Sequence, residues 1–308
     1  MTNLCVEARD VTRCYKGGRG IKGINLAIPM GRIVGLVGAN GSGKTTLLRA
    51  ITGLTGAEGD LRVNGLNPWT QRGQMMEDIT FIADTAILPR WMNAAQILDY
   101  VQGVHPRFDR TKAERFLAGT TVSRKMKVRQ MSKGMVVQLH LAVVLAIDAR
   151  LLVLDEPTLG LDLVFRTTFY RTLLEEFASE ERTIIISTHQ VEEIEHILTD
   201  VVVLSEGRIV FQEALDALEE RFFELRAKPE REEEVMRLGP VAEWRSLGQG
   251  HFLFDLAKPA GVTAEMIGLL GEVRSPRLAD VLVRLMEAAR PETAGVGEWG
   301  HTVKENKQ

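Results

Sequence analysis

Residues 38–45 read GANGSGKT, which matches the GxxxxGKT pattern of a phosphate-binding loop. The apolar run Ile33–Val37 precedes the loop and predicts a strand, and Lys44–Thr52 follows it with the spacing of a helix. Glycines let successive backbone N–H groups point inward around phosphates, and the N-terminus of the helix adds partial positive charge. This stretch therefore predicts a nucleoside triphosphate site within a strand–loop–helix unit.

Two side chains at the end of the loop point to a metal-bound nucleotide. We expect Lys44 to reach the β- and γ-phosphates and Thr45 to offer its hydroxyl to Mg²⁺. This stretch therefore predicts a nucleoside triphosphate bound together with Mg²⁺. The residues predicted to bind the nucleotide in this stretch are Gly38, Asn40, Gly41, Ser42, Gly43, Lys44, Thr45 and Thr46.

A second motif places two carboxylates at the end of an apolar strand. Residues 151–156 read LLVLDE, in which Asp155 and Glu156 follow four apolar residues. We expect Asp155 to hold Mg²⁺, directly or through water, and Glu156 to polarise the water that attacks the terminal phosphate. Together with the phosphate loop, this motif predicts hydrolysis of the nucleotide.

Strands and helices alternate over the first 215 or so residues, which predicts an α/β fold with a mainly parallel sheet. Strands are expected at Ile33–Val37, Leu151–Asp155, Thr183–Ser187 and Val201–Ser205, and helices at Lys44–Thr52, Leu163–Ser179 and Val191–Leu198. The middle two strands are apolar enough for burial on both faces. The stretch around Glu206-Gly207 predicts a hairpin that closes the domain.

A long insertion separates the first two of these strands. Residues 88–148 contain helical patterns at Ala94–Val104, Thr111–Leu117 and Lys133–Ile147, which predict a helical subdomain. The middle pattern is open to two interpretations, a solvated amphipathic helix or a segment with a specific role.

The composition changes again near Glu219. Twelve of the 19 residues in Glu219–Arg237 are charged, which predicts an exposed helix or linker, and Phe252–Leu256 and Arg277–Ala289 predict a small α+β appendage. The expected division is an ATPase domain at 1–217, an accessory domain at 218–292 and a disordered tail at 293–308.

Composition excludes several classes of protein. The 308 residues are 45% hydrophobic and carry a net charge of −3, which argues against a disordered chain and against binding of nucleic acid through overall charge. Two cysteines, Cys5 and Cys14, exclude a disulfide framework and favour a reducing, cytosolic compartment. The N-terminus lacks the apolar core of a signal peptide. The longest uncharged apolar-rich run, Gly134–Ile147, has 14 residues and is too short to span a bilayer.

The order of motifs resembles the ATP-binding cassette (ABC) ATPases over about residues 4–215. Residues 131–135, MSKGM, stand where that family carries its signature, usually LSGGQ, at the start of a nearly apolar helix. Tyr15 matches the aromatic residue that stacks on adenine. Gly160-Leu161-Asp162 matches the D-loop, and His189 matches the switch histidine.

The resemblance implies a P-loop NTPase core that works as a pair. In the family, two domains join head to tail, so that ATP on one phosphate loop is capped by the counterparts of Ser132 and Gly134 from the other domain. Glu156 then orients water, His189 contacts the γ-phosphate, and Asp162 carries communication between the two sites. Closure of the dimer is driven by ATP, and hydrolysis releases it.

The chain departs from the family pattern at three positions. Lys133 replaces the first signature glycine and Met135 replaces the glutamine, whereas Ser132 and Gly134 remain. In residues 79–84, ITFIAD, Asp84 stands where the family has its Q-loop glutamine, and a carboxylate there still offers oxygen to Mg²⁺, directly or through water. We expect phosphate capping to survive these changes.

The function implied by the resemblance is that of the ATP-hydrolysing subunit of an ABC transporter. Its expected partners are a separate transmembrane permease and a second ABC ATPase subunit, identical or different, with no nucleic acid, at the cytosolic face of the cell membrane. The segments MSKGM, ILPRWM and HPRFDRTKAERFL resemble a bacterial branch that works with type-2, exporter-like permeases. The alternatives are a soluble ABC ATPase, as in cofactor assembly, and a nucleotide sensor that barely hydrolyses ATP.

Overall fold

The computed structural model describes residues 3–83, 88–159, 161, 163–177, 179, 181–246, 249–257 and 263–288. Its strands are Leu4–Cys14 (β1), Gly20–Pro29 (β2), Ile33–Val37 (β3), Glu58–Val63 (β4), Ile79–Ile82 (β5), Leu151–Asp155 (β6), Thr183–Thr188 (β7), Asp200–Ser205 (β8), Arg208–Ala214 (β9), Phe222–Ala227 (β10), Ala242–Ser246 (β11), Gln249–Asp255 (β12) and Gly271–Arg274 (β13). Its helices are Lys44–Ile51 (α1), Arg72–Met75 (α2), Ala94–Val104 (α3), Arg110–Ala118 (α4), Lys133–Leu145 (α5), Leu163–Phe177 (α6), Leu215–Arg221 (α7), Glu232–Arg237 (α8), Ala264–Gly268 (α9) and Leu278–Ala288 (α10).

A six-stranded sheet in the order β5-β6-β7-β3-β8-β9 forms the centre of the fold. Its first five strands pair in parallel, and β9 closes the edge as the antiparallel partner of β8. The hairpin turn between β8 and β9 is made by Glu206 and Gly207, both of which have positive φ. The α/β fold and the hairpin predicted from the sequence are thus confirmed.

Residues of the central strands alternate between two cores. Leu151 and Val153 of β6 face a core that includes α1 and the antiparallel sheet β2-β1-β4, whereas Leu152 and Leu154 face a core that includes α6. Because successive side chains of a strand point to opposite faces, a strand covered on both sides is apolar throughout. The continuous apolar runs in the sequence have this cause.

The insertion between β5 and β6 contains the three predicted helices, α3, α4 and α5, with bounds shifted by at most two residues. Their first turns are capped by side chains, because Asn93, Asp109 and Ser132 each accept a hydrogen bond from a backbone N–H near the start of the following helix. Asn93 also forms a capping box with Gln96. These caps set where each helix of the subdomain begins.

The helix predicted over Val191–Leu198 is wrong. The structure has two short 3₁₀ turns there, Val191–Glu193 and Glu195–Ile197. Glu193 forms an ion pair with Arg166 and lies 3.5 Å from the hydroxyl of Thr158, so tertiary contacts hold the first turn in place. A segment this short gains little from helix propagation and follows its neighbours.

The exposed helix or linker predicted over Glu219–Arg237 is wrong for Phe222–Ala227 and correct for the second half of the stretch, where a short 3₁₀ turn and α8 are mostly exposed. Strand β10 runs through this stretch and is a central strand of an antiparallel sheet in the order β11-β12-β10-β13. Its charges are compatible with burial because they are paired: Glu224 lies 2.6 Å from His251 of β12, and Arg226 lies 3.6 Å from Glu224. The appendage predicted beyond it is α+β, as expected.

A guanidinium at the end of α7 ties this second sheet to the central one. Arg221 donates hydrogen bonds of 2.6 and 2.8 Å to the two carboxylate oxygens of Asp255 in β12 and one of 2.9 Å to Glu213 in β9. Asp255 is buried, and its hydrogen bonds raise the pKa of Arg221 above the usual value.

Among the residues that the structure describes, no helix has the length and apolar character needed to span a bilayer.

We expect Arg221→Met to lower the free energy of unfolding by about 3 kcal/mol, because the buried Asp255 carboxylate loses its cation. Urea denaturation followed by circular dichroism measures this change. The matched control is Arg231→Met, whose ion pair with Glu234 is half exposed, and which should change the free energy by no more than about 0.5 kcal/mol. Equal effects of the two variants would contradict the structural role given to Arg221.

Candidate functional site

The phosphate loop occupies residues 38–43, between the end of β3 and the start of α1. Gly41 and Gly43 have φ angles of 83° and 110°, a region that favours glycine. A Cβ on Gly38 would lie 2.3 Å from the carbonyl oxygen of Leu204 in β8, so no side chain fits there. The loop is therefore curled against the neighbouring strand, and its glycines are required by backbone conformation and by close packing.

Lys44, the first residue of α1, is the cation of the site. Its side chain is only 6% exposed. The ammonium Nζ donates hydrogen bonds to the carbonyl oxygens of Gly38, at 2.6 Å, and of Ala39, at 3.3 Å, and lies 3.4 Å from Oε1 of Glu156. The loop thus surrounds the ammonium, whose positive charge suits the binding of an anion such as a phosphate.

Two carboxylates follow β6, as predicted, and differ sharply in environment. Asp155 is buried and its Oδ1 accepts a 2.6 Å hydrogen bond from Oγ of Ser187 in β7. Oγ of Ser187 also accepts a 3.0 Å hydrogen bond from the backbone N–H of Glu156. Glu156 has a φ of 48°, an uncommon conformation that turns the chain sharply at the end of the strand and is typical of functional sites.

His189 completes a continuous line of polar contacts. Its Nδ1 lies 2.9 Å from Oε2 of Glu156, while Oε1 of the same carboxylate faces Lys44. The three side chains come from the ends of β7, β6 and β3, which are adjacent and parallel in the central sheet. Ligands of parallel α/β sheets bind at this edge, beyond the carboxyl ends of the strands.

A cavity of about 530 Å³ opens above these residues. Nine of the residues predicted to act in the site line it, namely Tyr15, Asn40, Gly41, Gly43, Lys44, Thr45, Thr46, Glu156 and His189. Gly38 and Ser42 form the packed side of the loop, and Asp155 lies buried beneath. The predicted site of one chain is therefore gathered in one place, in a volume suited to a small ligand.

Tyr15 stands at the rim of the cavity and is partly exposed. The guanidinium of Arg13 lies 5.2 Å from the centre of its ring. Burial raises the pKa of Tyr15, but hydrogen bonds from Thr55 and Arg13 and the charges of Arg13 and Arg49 outweigh it, so that the pKa is lowered overall. An exposed ring among cations offers a stacking face for a base.

The predicted signature residues Ser132 and Gly134 are not among the residues that line this cavity. Ser132 is exposed and caps α5, accepting a 3.2 Å hydrogen bond from the backbone N–H of Met135. Gly134 lies in the first turn of the same helix. The other two predicted site residues, Asp84 and Asp162, fall outside the described residues.

Four residues of the site were missed by sequence reasoning. Arg19, Gly20 and Leu159 line the cavity, and Ser187 links the two carboxylates. Arg19 and Gly20 belong to the stretch KGGRG that follows Tyr15, and its glycines were the available signal. Ser187 carried no signal of its own, because its role follows from the pairing of β6 with β7.

The donor atoms of the site suit an Mg²⁺ ion that is bound partly by the nucleotide, rather than an ion coordinated by protein side chains alone. Within the described residues, no three His, Cys, Asp or Glu side chains cluster in a way that would hold a metal ion. The hydroxyl of Thr45 and the buried carboxylate of Asp155 are hard oxygen donors, and Mg²⁺ is commonly bound by one or two carboxylates together with phosphates and water. The residues present therefore fit a metal that arrives with a nucleotide.

Comparisons with known proteins identify relatives of this chain. The family model described as ABC transporter matches residues 21–159. The ABC transporter ATP-binding protein YtrB of Bacillus subtilis (strain 168) is 28% identical over 221 residues, which are 71% of this chain and 75% of YtrB. The lantibiotic transport ATP-binding protein SrtF of Streptococcus pyogenes is 30% identical over 221 residues, which are 70% of this chain and 93% of SrtF.

A solved structure shares the fold. It is a dimeric post-hydrolysis state of an ATP-binding cassette bound to ADP and Pi, with a TM-score of 0.59 and 22% identity. The match covers 68% of this chain and 98% of that chain. With the phosphate loop, the paired carboxylates and these relatives in view, the chain belongs to the ABC transporter family, as one of its ATP-binding and ATP-hydrolysing subunits.

Proposed function

We propose that ATP binds with its base on Tyr15 and its phosphates in the loop, and that Glu156 activates the attacking water. One observation carries this assignment, namely the line of contacts from Lys44 to Glu156 at 3.4 Å and from Glu156 to His189 at 2.9 Å. These contacts bring the three side chains side by side, which supports the roles of a cation for the phosphates, a carboxylate for water and an imidazole for the γ-phosphate. Hydrolysis of ATP needs a cation at the phosphates and a carboxylate that positions the attacking water close to the same phosphate.

The contacts of Lys44 support an exchange of partners when ATP arrives. Its ammonium is held by the carbonyl oxygen of Gly38 and by the Glu156 carboxylate, and phosphate oxygens are stronger acceptors than a carbonyl. Oε1 of Glu156 is buried and accepts no hydrogen bond. Once Lys44 turns to the phosphates, this oxygen is available to orient a water molecule.

The metal proposed for the site is Mg²⁺, held by Thr45 and Asp155. It would supply charge neutralisation at the phosphate oxygens. Asp155 is kept in place by the hydrogen bond from Ser187, which leaves its other carboxylate oxygen for the metal or a bound water. Asp84 is proposed as a further oxygen ligand on the resemblance of its position alone.

A second ATPase subunit, identical or different, is the proposed completion of the site. Ser132 and Gly134 lie at the exposed start of α5, away from the cavity of their own chain. The hydroxyl and the N-terminal N–H groups of this helix would cap ATP bound to the partner, where helix charge stabilises the γ-phosphate. Asp162 is proposed to carry communication between the two sites.

The permease is proposed to dock on the helical subdomain, and this places the chain at the cytosolic face of the membrane. Trp91 is 70% exposed and Tyr100 is 61% exposed, and both belong to the segment that starts the subdomain. Exposed aromatic side chains are enriched at protein interfaces. We assign the exporter-like class of permease on the resemblance of MSKGM and its neighbouring segments. The ATPase domain would end near residue 217 and the accessory domain would span 218–292.

We expect Glu156→Gln to lower kcat for ATP by about a hundredfold or more, because the amide cannot accept a proton from the attacking water. ATP binding persists, so the variant should accumulate as an ATP-bound dimer on gel filtration. Phosphate release and elution volume are the two measurements. The control is Glu192→Gln, which changes an exposed carboxylate within the first 3₁₀ turn and should turn over like the unmodified chain. Unchanged turnover of Glu156→Gln would remove the role given to this carboxylate.

We expect Lys44→Ala to weaken ATP binding by about tenfold or more, because a charge-assisted contact to the phosphates is lost. Equilibrium titration with a fluorescent ATP analogue measures the dissociation constant. Lys125→Ala removes an exposed lysine of the subdomain and should bind like the unmodified chain. Tight binding by Lys44→Ala would contradict the site, and turnover near background by the unmodified chain would favour a nucleotide sensor.

We expect Trp91→Ser with Tyr100→Ser to separate the chain from the membrane while leaving ATP turnover intact. The chain and its genomic neighbours are co-expressed, and membrane and soluble fractions are compared. Leu269→Ser is the control, because Leu269 is 82% exposed on the C-terminal part, and this variant should remain with the membrane. A chain that never enters the membrane fraction would contradict coupling to a permease.

A further inference from the structure

The C-terminal helix α10 packs against the elements that carry the nucleotide site. Its buried residues Ala279, Val281 and Leu282 belong to one cluster of buried apolar side chains with Val37 and Val191. Val37 is the last residue of β3, directly before the phosphate loop, and Val191 comes two residues after His189. The helix also contacts the 3₁₀ turn that begins at Val191 and the strands β8 and β9. One helix therefore packs beneath both halves of the site.

A cavity of about 290 Å³ lies between the same helix and the outer side of the phosphate loop. The loop and the helix face each other across it with Asn40, Gly41 and Ser42 on one side and Val283, Met286 and Glu287 on the other. Oγ of Ser42 is buried and makes no hydrogen bond. On this side, α10 thus faces the loop across the cavity. The N–H of Gly207 in the β8–β9 turn donates a 2.8 Å hydrogen bond to the carbonyl oxygen of Ser42.

The helix is anchored on its other side to the second sheet. The guanidinium of Arg284 lies 4.7 Å from the centre of the Trp244 ring in β11, and that ring stacks on His251 of β12. Leu253 of β12 belongs to the same buried cluster as Leu282. The C-terminal sheet therefore fixes the position of α10. Through the shared buried cluster, α10 in turn supports Val37 at the base of the phosphate loop.

We propose that α10 is a positioning element for ATP, acting through Leu282 at the root of the loop and Met286 at its outer side. The inference rests on the nucleotide site proposed above and adds a requirement for the C-terminal part. Successive backbone N–H groups converge on a phosphate only when the loop is held in one curvature. In enzyme sites generally, a misplacement of 1 Å can lower the reaction rate by about a hundredfold. Without support from α10, the phosphate loop and the 3₁₀ turn Val191–Glu193 that follows His189 would adopt other positions.

The test compares apolar truncations in two cores. Leu282→Ala removes a fully buried side chain of α10, and Ile267→Ala removes a fully buried side chain of α9 that belongs to a separate core within the C-terminal part. We expect Leu282→Ala to raise the dissociation constant for ATP by about tenfold and Ile267→Ala to leave it unchanged, although both lower the melting temperature. Leu282→Met, which keeps the volume, should restore binding.

A milder variant keeps the proposal testable if Leu282→Ala does not fold. Met286 is only partly buried, and Met286→Ala should fold and raise the dissociation constant by about threefold. Equal changes in ATP binding for the α10 and α9 variants, or none in either, would overturn the positioning role. Such a result leaves the proposed function standing, because that depends on Lys44→Ala and Glu156→Gln in the unmodified C-terminal context.

Hydrogen exchange of backbone amides, measured with and without ATP, distinguishes contact between α10 and the site from a general change in the stability of the fold. Coupling between two sites is reciprocal, so ATP bound in the loop should slow exchange of backbone amides in Leu278–Ala288. Amides of Ala264–Gly268 serve as the internal control and should exchange at the same rate with and without ATP. Protection of both helices, or of neither, would contradict a specific contact between α10 and the nucleotide site.

Discussion

The buried ammonium of Lys44 is the group on which the nucleotide site depends. An unpaired cation in a protein interior is strongly unfavourable, so this one is held by the Gly38 carbonyl and the Glu156 carboxylate. The phosphate loop curls around it, and the strand that ends in Asp155 and Glu156 is drawn beside it. In the mechanism that we propose, ATP would meet a site whose charges are already in position, and the Glu156 carboxylate would be released as Lys44 changes partners. Preorganisation of this kind lets binding energy serve the transition state.

The fold supplies this arrangement through the ends of three parallel strands. Pairing of β3 with β7 and of β7 with β6 brings the phosphate loop, His189 and Glu156 to one edge of the sheet. Ser187 makes the connection rigid, since its hydroxyl donates to Asp155 and accepts from the N–H of Glu156. The exposed start of α5 has no part in its own cavity, which agrees with a site completed by a second subunit. In the proposed head-to-tail pair, the cavity of one chain and the start of α5 of the other would together form each nucleotide site.

Much of this was predictable because the sequence signals were local. The loop, its flanking strand and helix, and the two carboxylates each follow from a short run of residue types, and their bounds agree closely with the structure. Long-range pairing was not predictable in the same way. Strand β10 was concealed by its charges, since Glu224 has its partner His251 on the distant strand β12. The 3₁₀ turns after His189 follow a contact between Glu193 and Arg166. Ser187 and the packing of α10 depend on tertiary structure for the same reason.

The most direct measurement is the structure of Glu156→Gln with ATP and Mg²⁺ bound. The exchange of partners predicts that Nζ of Lys44 leaves the Gly38 carbonyl, now 2.6 Å away, and lies within hydrogen-bond distance of the β- and γ-phosphate oxygens. The backbone of residues 38–43 should keep its present curvature. A nucleotide bound in the cavity while Lys44 still donates to Gly38, or a nucleotide bound elsewhere, would contradict the account.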